Sequence, residues 1–140
     1  ILNDPSANQA VTGLNFEVDA AGQGHLIFRQ MQKLYYRQWS QEQGWSSLQL
    51  VSEITPTINW IILKVIPSGK PCILLVSPLE LLTVQQTQAG WLPPKPVYKA
   101  GTNSDDLIQD ISAVPSDAGW NLVWRNFAKP AEVYFGELKW

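Results

Sequence analysis

At 140 residues, 45% hydrophobic and 16% charged, the chain has ample material for one folded core and the wrong balance for a disordered segment. Ten basic and twelve acidic residues, with no basic run and a formal net charge of −2, leave no electrostatic footprint for nucleic acid. One cysteine and one histidine exclude an intrachain disulfide and leave too few ligands for a usual zinc site.

Ten prolines and nine glycines spread along the chain predict many short strands between turns. No apolar run approaches the roughly 20 residues needed for a membrane-spanning helix. The chain opens on Ile1 without a methionine and with nothing resembling a signal peptide. A processed chain, or a piece of something longer, is therefore expected.

Taken in chain order, Leu14, Phe16 and Val18 alternate with Asn15 and Glu17, the period of a half-buried strand. A turn carrying Gly22 follows, then a strand at His25–Phe28 and a third at Leu34–Arg37. The turn Gln43-Gly44-Trp45 leads to a fourth strand ending near Val51.

The same series then repeats. Ile61–Val65 stands 47 residues after Leu14–Val18, and Cys72–Leu75 stands 47 after His25–Phe28. Leu81–Val84 follows Leu34–Arg37 at the same offset, and Ala89-Gly90-Trp91 answers Gln43-Gly44-Trp45. The second unit's fourth strand contains Pro93, Pro94 and Pro96, so it is predicted to lie at a sheet edge. A third unit begins with Asp110–Val114, aligned so that Val114 matches Val65. It continues with Asn121–Trp124 and Val133–Gly136.

The expected fold is all-β: three tandem four-stranded antiparallel blades of a partial β-propeller, as approximate repeats 14–60, 61–109 and 110–140. The third blade lacks its outer strand. Because Ile1-Leu2-Asn3 aligns with Leu48-Gln49-Leu50, residues 1–13 are expected to complete a last blade. Three blades do not close a ring, so completion is expected either from other copies of the chain or from further blades of a longer one.

The unit from Val18–Gly22 through Leu34-Tyr35-Tyr36-Arg37 to Gln43-Gly44-Trp45 resembles a blade of the sialidase-like (Asp-box) and lectin-like β-propellers. The Asp-box pattern is echoed at Ser40-Gln41-Glu42-Gln43-Gly44-Trp45. The resemblance implies a rigid scaffold that presents loops to a ligand.

Cys72 sits in an apolar run and reads as a buried hydrophobe, while His25 is the sole histidine available as a base. No catalytic constellation, metal site or cofactor motif emerges. Glu17 and Lys64 share one repeat position and read as residues facing a central channel. Trp45 and Trp91 recur with the period and are expected to pack one blade on the next.

The candidate ligand-binding residues are Trp39, with Arg37 and Glu42 beside it, the repeat-equivalent Arg29 and Arg125, and Trp124. The expected function is a non-enzymatic binding module, either a protein-interaction scaffold or a carbohydrate-binding surface. The alternative is a fragment or relative of a sialidase-like glycoside hydrolase, which needs converging carboxylates and arginines. The compartment stays open, with a lean towards an extracytoplasmic or secreted setting.

Overall fold

In a computed structural model, the described residues are 10–55, 57–101, 107–126 and 132–139. They form thirteen strands in three antiparallel sheets, with no helix among them and no sheet closed on itself.

The first sheet contains β1 (Val11–Val18), β2 (Gly24–Gln30), β3 (Lys33–Ser40), the short β4 (Gly44–Trp45) and β5 (Gln49–Glu53). Strands β1, β2 and β3 form a meander, and β4 and β5 both pair with β3. The second sheet repeats the arrangement with β6 (Trp60–Val65), β7 (Pro71–Val76), β8 (Glu80–Thr87), β9 (Gly90–Trp91) and β10 (Lys95–Lys99). The third has β11 (Ile108–Ser116), β12 (Gly119–Asn126) and β13 (Val133–Lys139), and no fourth strand among the described residues.

Two expectations change at the boundaries. Residues 11–13 belong to β1, where Val11 pairs with Gln30 and Thr12 with Arg29, so they extend the first sheet and do not complete a last one. Ile1-Leu2-Asn3 lies outside the described residues. Trp60, placed by sequence at the end of the first repeat, opens β6 opposite Val76.

Cross-strand partners define the repeat more sharply than spacing does. Ile27 pairs with Tyr36, Leu74 with Thr83 and Val123 with Phe135, so these three pairs are structural equivalents. Leu26 with Arg37, Ile73 with Val84 and Leu122 with Gly136 form the matching set on the opposite face. We call the first set the leading face and the second the trailing face.

The first strand of the third sheet departs from the aligned register by one residue. Val18 pairs with Gly24 and Val65 with Pro71 across five-residue turns, whereas Pro115, not Val114, occupies the matching place opposite Trp120. The reason is a turn of only two residues, Asp117 and Ala118, between the paired Ser116 and Gly119. Since side chains alternate, the slip buries Ala113 and exposes Val114.

The sheets stack face to face. Ile27, Leu34 and Tyr36 on the first leading face pack against Leu63, Ile73 and Leu75 on the second trailing face. Leu74, Val76 and Leu81 on the second leading face pack against Ala113, Trp120 and Leu122 on the third trailing face. The middle sheet is thus buried on both sides, which explains why all six residues of β7 are buried and nearly all apolar.

The first strands of the sheets run side by side, β1 next to β6 and β6 next to β11. β10 lies at the edge of its sheet, and Pro96 there has no N–H to offer a further strand.

The first hairpin turn shows why the glycines recur. Gly22 and Gly69 have φ of 78° and 83°, a region costly for residues with a Cβ, and their amides donate to the carbonyls of Asp19 and Ile66 respectively.

Candidate functional site

A cleft of about 610 Å³ opens at one end of the first sheet, between the β1–β2 turn and the β3–β4 turn. Trp39 pairs directly with Trp45 across β3 and β4, which brings two indoles to its wall. Gln23, Gln38, Glu42 and Gln43 supply amide and carboxylate groups around them.

Ser46 fixes the floor. Its Oγ accepts from the Gln38 amide at 3.0 Å, its own amide donates to the Gln38 carbonyl at 2.7 Å, and its carbonyl accepts from Arg37 Nε at 2.8 Å. Gln38 Nε2 donates to Gln23 Oε1, tying the two turns together.

Of the sequence candidates, Trp39 and Glu42 line this cleft, and Arg37 borders it through Ser46. The others are held elsewhere. Arg29 donates to the carbonyls of Met31 at 2.7 Å and Ile58 at 3.1 Å, which anchors the segment entering the second sheet. Arg125 pairs with Asp110 on the third sheet.

Trp124 stacks on Tyr134 with ring centres 5.6 Å apart and meets Tyr98 of the second sheet at 5.6 Å. A Cβ at Gly136 would stand 2.9 Å from the Trp124 ring, so the missing side chain makes room for the indole. Glu17 and Lys64 form an ion pair between β1 and β6 of adjacent sheets.

Beside the cleft lies a polar network that spacing alone does not reveal. His25 is buried, with Nδ1 2.7 Å from Tyr36 Oη and Nε2 3.3 Å from Asp19 Oδ2. Burial works to raise the Asp19 pKa, but donation from the Gln23 amide, His25 and the Ala21 amide outweighs it, so the carboxyl sits below its usual value. Burial, with the Asp19 charge added, pushes the Tyr36 phenol well up.

With Asp19 accepting and Tyr36 holding its proton, the arrangement that satisfies all three groups has His25 donating from Nε2 and accepting at Nδ1. This network locks the turn to the core. A lone histidine on a buried strand, six residues after a turn aspartate, was the available signal.

Cys72, at the place equivalent to His25, is buried, and its thiol pKa is pushed up to about 12. That thiol is no nucleophile near neutral pH. Among the described residues no group of three or more His, Cys, Asp or Glu side chains could hold a metal ion, and no helix is long and apolar enough to cross a membrane.

A scan against protein-family models finds no match, and no curated protein matches the chain. The functional reading therefore rests on the site itself.

Proposed function

We propose that the three sheets are consecutive blades of a β-propeller binding module, and that the cleft between Trp39 and Trp45 takes a neutral, hydroxylated ligand such as a glycan. The observation that carries this reading is the pairing of two partly open indoles with glutamine amides in one cleft. Indole faces stack on the C–H faces of sugar rings, while amides exchange hydrogen bonds with hydroxyl groups.

Ligand charge follows from the lining, which holds one carboxylate, Glu42, and no lysine or arginine. The face-to-face order of the sheets, with adjacent first strands and a proline-bearing outer edge, supports the blade arrangement.

The hydrolase alternative draws less support. Arg29, Arg37 and Arg125 serve separate partners, and Glu42 is the one acid on the cleft wall. A protein-interaction scaffold is favoured instead by the apolar side chains open on the two outermost sheets.

Glycan-array binding by the wild type and Trp39→Ala tests the cleft. Binding to neutral glycans is expected, weakened about tenfold in the variant, which corresponds to roughly 1.4 kcal/mol of lost stacking. Absence of glycan binding by the intact protein, or binding indifferent to Trp39, overturns the carbohydrate reading in favour of the scaffold.

A further inference from the structure

The two stacked junctions within the chain follow one rule, leading face onto trailing face, and apolar side chains stay exposed on the leading face of the third sheet and on part of the trailing face of the first. On the leading face of the third sheet, Val133 is 71% and Phe135 68% exposed. Their equivalents, Leu34 and Tyr36 in the first sheet and Leu81 and Thr83 in the second, are buried against the next sheet.

On the trailing face of the first sheet, Leu14 is 60% and Phe16 49% exposed, whereas their equivalents Ile61 and Leu63 are buried at the first junction. Leu26, Phe28 and Tyr35 on that face are already buried with Leu48. The open part is therefore β1 and the Gly-Trp turn.

Trp45 supplies the most specific clue. Its equivalent, Trp91, reaches across the first junction, edge-on to Tyr36 with ring centres 5.0 Å apart, and its Nε1 donates to Gln49 Oε1 at 3.2 Å. Trp45 stands in the same place on β4 but is exposed, touching only Phe16 of its own sheet among the described aromatic pairs. Phe135 is the equivalent of Tyr36. The exposed indole and the exposed phenyl are thus the two halves of a contact already made once inside the chain.

We propose that a second copy of this chain meets the open part of each face, setting Val133 and Phe135 of its third sheet against Leu14, Phe16 and Trp45 of the first, Phe135 of one copy against Trp45 of the other. Such a contact joins unlike surfaces, and made twice between two copies it closes a ring of six sheets. The apolar side chains otherwise left in water are the driving force.

The inference rests on the blade reading above, and it adds that the partner's Phe135 approaches the rim of the Trp39–Trp45 cleft. A glycan in that cleft would then sit beside an interface between copies.

Sedimentation equilibrium of the full chain, with Leu14→Asp and Phe135→Asp, tests it. The wild type is expected at twice 15.7 kDa and each variant at 15.7 kDa, with the β-sheet circular dichroism retained because both positions are solvent-facing. An equimolar mixture of the two variants is expected to recover a dimer of weaker affinity, since one intact leading face still meets one intact trailing face.

A wild-type monomer at 100 μM overturns the proposal. So do open assemblies larger than two, or a mixture that stays monomeric while the wild type dimerises. Glycan binding is read separately on dimer and monomer, so loss of the cleft reading leaves the mass result standing.

Discussion

Asp19 shapes the first hairpin turn by accepting from the amides of Ala21 and Gln23 at 2.9 and 2.8 Å, and through His25 it ties that turn to the core. Its pKa is lowered in the folded chain, so it adds stability above the ordinary carboxylate value of 3.8. That contribution is lost as pH falls from there through the lowered folded value. Asp19→Asn is expected to cost about 1.5–3 kcal/mol at pH 7, the range for hydrogen bonds to a charged group. The difference from wild type should shrink at pH 3, as read from urea midpoints. A variant that matches the wild type at pH 7 would show that the turn holds without the carboxylate.

The sequence made the single histidine visible but not its partners. Asp19 and Tyr36 reach His25 from a turn and from the adjacent strand, a convergence that only strand register creates. The same holds for the cleft. Trp39 and Glu42 were legible as candidates, whereas Gln23 comes to them through pairing of β2 with β3.

Among the elements, β12 and β13 approach each other closely at Gly119. Gly119 faces the carbonyl of Leu138, and a Cβ there would overlap it. Gly119→Ala is expected to destabilise by about 1–3 kcal/mol, the usual cost of overpacking, and a thermal melt unchanged from wild type would refute it. Within the middle sheet, Leu75 is fully buried in the first junction. Leu75→Ala should cost about 2–5 kcal/mol by the same denaturation measurement.

The second strand of every unit was legible because equivalent positions are apolar on both faces: Leu26, Ile73 and Leu122 trailing, Ile27, Leu74 and Val123 leading. The first strand of the third unit was not. Val114 looks like Val65 in type and spacing, and nothing in its own identity reports that Asp117 and Ala118 close a shorter turn. Turn length decided the face, and a valine took the solvent side.

For the whole molecule, layering sets a gradient of stability. The middle sheet lies between both junctions and each outer sheet takes part in one, so opening β7 requires breaking both junctions. Amide hydrogen exchange is expected to be slowest over Cys72–Val76 and faster on β1 and β13, whose side chains are largely solvent-facing. Uniform exchange across the three sheets would contradict that order. The repeat announced this stacking, because Ile61–Leu63 and Cys72–Val76 are apolar at consecutive positions where one-sided burial would show alternation.

That doubly covered strand also bears on biosynthesis. Cys72-Ile73-Leu74-Leu75-Val76 is uncharged and rich in strand-forming residues, a composition prone to cross-β association before its neighbours fold over it. Refolding yield should therefore fall steeply with protein concentration, and a chaperone that shields short hydrophobic segments should restore it by holding this stretch until the third sheet arrives.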